Sequence, residues 1–208
     1  MPTLEQARAW YPVNDPVHGF DHILRVVQLA QHLAEIEGAD LEIVQAAALL
    51  HDAQEKPAHR AGHHLASAEL ARRVLEAEGW PDERTAAVLH CIRAHRFRDD
   101  QEPPQTLEAK ILFDADKLDA IGAVGVARAI AYSVQAGMPF YAPISQRFLE
   151  TGELEAGEPH SAYHEHLFKL VNIQARLYTA SGRALSELRH TLMQAYFEQL
   201  QAEIAGER

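Results

Sequence analysis

Four places in the chain put a metal-binding side chain on an apolar helical stripe. His22 shares a face with Val26, Leu29 and Leu33, and His51 follows Val44, Ala47 and Ala48 at helical spacing. Asp52 lies one turn after Ala48, and Asp116 follows Ala109, Leu112 and Phe113. Burying two carboxylates without a counter-charge is expensive, so one explanation covers all four: the helices aim these groups at a common cation. Each residue alone also has an ordinary reading. A lone histidine on an apolar face is commonly a core residue satisfied by one hydrogen bond, and Asp116 could pair with a nearby Arg or Lys. The adjacent pair His51-Asp52 shifts the balance. Neighbours stand about 100° apart on a helix, so both converge only on something at its edge.

The elements that must carry these groups read as helices almost throughout, because Ala, Leu, Glu, Gln and Arg abound and alternating Val/Ile/Thr runs do not. A first helix is expected from about Phe20 to Glu37, with Ile23, Val27, Ala30 and Ala34 inward and Gly38 as its stop. Asp40 suits the N-cap of a second helix, which leads into His51. A charged loop with Pro57 follows, then helices from about His64 to Glu78 and, capped by Asp82, to about His95. Residues 96–105 form a polar loop, and a further helix runs from near Thr106 to the Asp116 region. Gly122 and Gly125 permit close packing or a kink. Residues 136–160 read as an irregular connector, and helices over about 164–179 and 183–203 close the chain. With no repeat or linker in view, the expectation is one all-α domain over residues 1–208.

Composition narrows the classes. Of 208 residues, 47% are hydrophobic and 24% charged, which suits a globular protein with a real core. The longest wholly apolar stretch, Ala120 to Ala127, falls far short of the roughly 20 residues of a membrane span, and no secretory leader is evident. The expectations are therefore no membrane partner and a cytoplasmic location. A net charge of −11 repels a phosphate backbone, so polymeric nucleic acid is not expected as a partner. One cysteine, Cys91, excludes an internal disulfide and a Cys-based zinc site, whereas 13 histidines point to hard or borderline metals.

The order His22 … His51-Asp52 … Asp116 resembles the signature of the HD-domain metal-dependent phosphohydrolase superfamily. The flanking segments HGFDHILRV (18–26), LLHD (49–52) and LEAKILFDADKLDAIGAVGVAR (107–128) resemble its stand-alone bacterial, YedJ- and YpgQ-like subgroup. HEHLFKL (164–170) and SGRAL (181–185) are similar to that subgroup's C-terminal half, so the likeness spans nearly the whole chain. It implies an HD-type helical fold, with a metal core over residues 18–130 and C-terminal helices over 160–205 packed on it. It also implies a metal held by His22, His51, Asp52 and Asp116. Two imidazoles and two carboxylates suit Mn2+ first, with Mg2+, Co2+, Ni2+ or Fe2+ as alternatives.

The activity implied is hydrolysis of a small nucleotide by metal-activated water, foremost a (deoxy)nucleoside triphosphate pyrophosphohydrolase or phosphatase. The alternatives are a non-catalytic HD module that binds nucleotide or metal as a regulator, and a 5'-nucleotidase-type phosphomonoesterase. A homodimer is left open. Glu55 would orient or deprotonate the water and Lys56 hold a phosphate oxygen, against the plainer reading of a solvated ion pair. Gly19 departs from an acidic residue common in relatives, which removes support for a role of His18. His95 is a candidate phosphate or leaving-group contact or a buried structural histidine. His166 and Lys169 could close over the substrate, with Tyr163 and Phe168 in the core. Asp119 is expected to orient a metal ligand. His63, His64, His90 and His95 raise a second metal as the lesser reading, since His90 and His95 stand about 140° apart on a helix and cannot share one ion.

Overall fold

Every regular element is helical among the residues that the computed structural model describes, namely 1–12, 15, 17, 19–53, 62–96 and 102–207. They are α1 (Leu4–Arg8), α2 (Phe20–Glu37), α3 (Leu41–Leu50), α4 (His63–Ala77), α5 (Asp82–Ala94), α6 (Leu107–Asp119), α7 (Gly122–Gln135), α8 (Gln146–Thr151), α9 (Ala162–Phe168) and α10 (Ala180–Ile204). No described helix is long and apolar enough to cross a membrane.

The chain packs as two compact units. The first comprises Met1–Lys117 with Leu177–Gly182, and the second Leu118–Arg176 with Arg183–Arg208. In the first, α3 is apolar nearly all round: Ile43, Val44 and every residue from Ala46 to Leu50 are buried. A helix with no polar face must be surrounded, and α1, α2, α4 and α5 all pack on it. Asp40 caps it, its carboxylate accepting from the backbone N–H of Glu42 and Ile43 at 3.0 and 3.1 Å. Arg84 of α5 holds the same carboxylate with two bonds, at 2.8 and 3.0 Å. The entry of α3 is thus tied to α5, and its exit at His51 is directed into the core. α2 ends as expected at Gly38, whose φ of 76° is a left-handed cap.

In the second unit α7 packs against α9. Gly122 starts α7 at φ 76°, and a Cβ there would meet Arg189 Cβ at 2.9 Å, so the break after α6 needs this glycine. Asp119 is buried and ion-paired with Arg128 at 2.8 Å. Tyr141, Tyr163, His166 and Phe197 form a run of near-parallel rings, the His166–Phe197 centroids 4.2 Å apart. Glu158, His164 and Ser161 pin the connector: His164 Nε2 lies 3.1 Å from Glu158, and Ser161 Oγ lies 2.7 Å from His164 Nδ1.

Several expectations shift. α1 precedes the first helix expected, and α8 lies in the segment read as an irregular connector; α8 is started by Ser145, whose hydroxyl accepts from Phe148 N at 3.0 Å. Asp82 is the first helical residue of α5, and Pro81, which has no side-chain acceptor to offer, takes the cap position. The helix expected to run to residue 179 stops at Phe168; Lys169 leaves helical geometry at φ −117°, and the chain continues in two 3-10 turns. Phe168 is 58% exposed rather than core.

Candidate metal centre

Three helix ends and one helix flank deliver the four sequence-predicted ligands within the first unit. His22 comes from the first turn of α2 and is 1% exposed. His51 is the C-cap residue of α3 and wholly buried, and Asp52 follows it. Asp116 lies on the last turns of α6. One atom each from His22, His51 and Asp52 lies within 4.8 Å of the others. His22 Nε2 stands 3.5 Å from Asp116 Oδ1, and His51 Nε2 stands 3.7 Å from Asp52 Oδ2. These separations exceed a good hydrogen bond. They fall within the span of donors around a shared ion, which at bond lengths of about 2.1 Å stand ~3 Å apart when adjacent and ~4 Å when opposite.

Two atoms test whether a cation fits. Among the described residues, His51 Nε2 and Asp52 Oδ1 are buried without a hydrogen-bond partner, and a native interior leaves few such groups unpaired. His51 Nδ1 donates to the Ala48 carbonyl oxygen at 2.8 Å, so the lone pair belongs to the inward-facing Nε2, the form a metal needs. Burial pushes the His51 imidazole down to about 4, partly opposed by Asp52, which keeps the ring neutral near pH 7. Burial would raise the Asp52 carboxyl, but His51, His95 and His63 hold it well below the ordinary carboxylate range. Asp116 is held low in the same way, chiefly by Lys117 and then by His51 and His22. The neutral His51 imidazole, the His22 ring and the ionised carboxylates form a donor set suited to a divalent ion.

A second group shares Asp52. His63 Nε2 and His95 Nε2 lie 3.5 and 3.4 Å from Asp52 Oδ1, and 3.4 Å from each other. His95 is the C-cap residue of α5, and its Nδ1 donates to the Ile92 carbonyl oxygen at 2.6 Å. The five residues His22, His51, Asp52, His63 and His95 therefore form a cluster able to hold a metal. His63 stood in the sequence as a member of a Pro- and Gly-flanked loop, yet it is the first residue of α4. His90 turns away as its spacing requires, its Nδ1 meeting Glu102 at 2.9 Å while Gln105 N donates to its Nε2.

The other sequence-predicted residues fall elsewhere. Glu55 and Lys56, with His18, lie outside the described residues. His166 and Lys169 belong to the second unit. His166 is 5% exposed against Phe197, and burial, with His190 beside it, pushes its ring down to about 4. Lys169 Nζ donates to Glu165 at 2.8 Å. Lys117 reaches Asp116 and also lies 5.5 Å above the Phe113 ring. The sequence reading passed over Asp114, a fully buried carboxylate on the face of α6 opposite Asp116.

The matches to known proteins agree with this geometry. The HD domain family model covers residues 19–121. YpgQ of Bacillus subtilis, an uncharacterized protein, is 34% identical over 209 residues, covering 97% of this chain and 94% of its own. The crystal structure of YpgQ in complex with ADP aligns at 31% identity with a TM-score of 0.73, covering 99% of this chain and all of that one. An HD-superfamily hydrolase from Bacillus thuringiensis aligns at 27% identity and TM-score 0.69, covering 97% and 96% of the two chains. Part of the chain, 99 residues, is 38% identical to a segment making up 17% of ribonuclease Y from Chloroflexus aurantiacus. The architecture is that of an HD-superfamily hydrolase, with a His/Asp cluster able to bind a divalent metal. The chain belongs to the HD-domain family.

Proposed function

We propose that the protein is a metal-dependent phosphohydrolase of small nucleotides, acting in the cytoplasm as a (deoxy)nucleoside triphosphate pyrophosphohydrolase with Mn2+ held by His22, His51, Asp52 and Asp116. The observation that carries this reading is the convergence of His22, His51 and Asp52, with the buried His51 Nε2 and Asp52 Oδ1 without hydrogen-bond partners among the described residues. The ADP complex of YpgQ supports a nucleotide as ligand. The chemistry a divalent ion supplies in such a site is activation of water and neutralisation of phosphate charge.

The chain's own groups divide the remaining work. Asp52 and Asp116 stay ionised and give the site its negative charge, while the Ala48 carbonyl fixes the His51 ring in one tautomer. His95 and His63 present Nε2 atoms beside Asp52, and His95 is assigned to contact a phosphate oxygen or the leaving group. Glu55 is assigned to orient the attacking water and Lys56 to bind phosphate. In the reaction the water oxygen bonds to the α-phosphorus and the bond to the bridging oxygen breaks. Nucleoside monophosphate and pyrophosphate leave.

The test is a panel of nucleotides with Mn2+, followed by phosphate detection with and without added inorganic pyrophosphatase. Phosphate seen only after pyrophosphatase supports the proposal. Phosphate released directly from monophosphates points to a nucleotidase instead, and no metal-dependent turnover of any nucleotide points to a binding module.

A further inference from the structure

We propose that Asp114 is a positioning residue of the metal site, fixing the roll of α6 through a strap formed by residues 177–182. The proposal rests on Asp116 being a metal ligand. Asp114 is wholly buried, where an ionised carboxylate needs compensation. That compensation comes from the strap. The backbone N–H of Tyr178 donates to Asp114 Oδ1 at 2.9 Å, and the N–H and hydroxyl of Thr179 both donate to Oδ2 at 2.7 Å. Three donors converge on one side chain, two of them backbone groups at the entry of α10, where a negative charge is favoured.

The strap is built for this contact. Gly182 N donates to Thr179 Oγ1 at 2.9 Å, and a Cβ at Gly182 would stand 2.4 Å from Asp114 Oδ2, so any larger residue would displace the carboxylate. The strap's other side is anchored on α2, where Ser181 N and Oγ donate to Glu37 Oε1 at 2.8 and 2.7 Å. Tyr178 meets Phe113 edge-on, with ring centroids 5.0 Å apart.

Asp114 and Asp116 are two positions apart, with Ala115 between them, which sets them about 200° apart around α6. The helix is therefore gripped by the strap on one side while it presents Asp116 toward His22 on the other. A carboxylate projects several ångströms from the helix axis, so a roll of about 10° moves it by ~1 Å. Metal ligands tolerate about 0.2 Å. A group that fixes the roll therefore governs metal affinity without touching the ion.

The experiment measures Mn2+ affinity of the full chain from the electron paramagnetic resonance signal of free Mn2+, beside thermal melts in chelator. Asp114→Asn is expected to weaken Mn2+ by about 10-fold or more. Thr179→Val should weaken it in the same direction, and Thr179→Ser, which keeps the hydroxyl, should bind as the parent does. Leu75→Ala, a core truncation near the far end of α4 from His63, lowers the melting midpoint but should leave affinity within about twofold. Parent-like Mn2+ affinity in Asp114→Asn overturns the proposal. So does a Leu75→Ala variant that loses as much affinity as Asp114→Asn, since general loosening would then suffice. If Asp114→Asn does not fold, the Thr179→Val and Thr179→Ser pair decides: equal affinities overturn the proposal. Asp116→Asn separates the underlying reading, because undiminished Mn2+ binding there removes Asp116 as a ligand and ends both.

Discussion

Cation binding should raise thermal stability by an amount that follows from the two orphaned atoms of the site. His51 Nε2 and Asp52 Oδ1 are buried without hydrogen bonds among the described residues. Leaving such a group unsatisfied costs about 1–3 kcal/mol, so satisfying both with a cation recovers about 2–6 kcal/mol. In a chain of this size each kcal/mol moves the midpoint by about 2–4 °C, which gives an expected rise of about 5–20 °C. The assay is a circular-dichroism melt in EDTA, repeated with Mn2+ raised stepwise to millimolar. Above the dissociation constant each tenfold step should add about 1.4 kcal/mol, so the midpoint should climb with the logarithm of concentration. Asp116→Asn should blunt the climb. A midpoint indifferent to Mn2+, Mg2+, Co2+, Ni2+ and Fe2+ would refute the reasoning, and a full climb in Asp116→Asn would place the cation elsewhere.

Other consequences can be checked separately. The folded His166 ring sits at about 4 against an ordinary value near 6.5, so below that ordinary value the unfolded chain takes up a proton that the native ring refuses. Stability is then undiminished above about pH 6.5 and falls from there toward pH 4, and His166→Phe should flatten that decline in melts taken across the range. Burial, with a smaller contribution from Glu108, pushes the Cys91 thiol up to about 12. A disulfide reagent such as Ellman's should accordingly leave the native protein unmodified and titrate one thiol after denaturation. Arg128→Ala removes an ion-pair partner of buried Asp119. It should cost about 3–5 kcal/mol in urea unfolding, and Arg128→Lys should restore part of it. Asp40→Ala removes the cap of α3 and should cost about 1 kcal/mol or more by the same measurement.

Local signals were the legible ones. The helix Phe20–Glu37 and its glycine stop follow from apolar spacing and a left-handed residue, both short-range properties, and so does the Asp40 cap. His22, His51, Asp52 and Asp116 could be picked out because each breaks an apolar stripe with a polar group that needs a reason to be inside. His63 carried no such mark. Its approach to Asp52 depends on how α4 and α5 pack beside α3, which is a tertiary fact. Asp114 was hidden for a related reason: its partners in the strap lie about 65 residues further on and include two main-chain N–H groups, and a backbone donor leaves no trace in residue type. Six-residue α8 and the early stop of α9 also escaped notice, since short helices depend on a capping hydroxyl or on surroundings more than on periodicity.

His51 and His95 are both C-cap residues, so the carboxyl ends of α3 and α5 point at one place, with the two rings 5.1 Å apart. Each such end carries roughly half a negative elementary charge from its free carbonyls, added to the charges of Asp52 and Asp116. Lys117 on Asp116 and the amino ends of α2 and α4, which bring His22 and His63, oppose this charge only in part. The cation is therefore expected to enter before an anionic substrate or together with it as a chelate, and transient kinetics would record that order as a lag whenever the anion is supplied first.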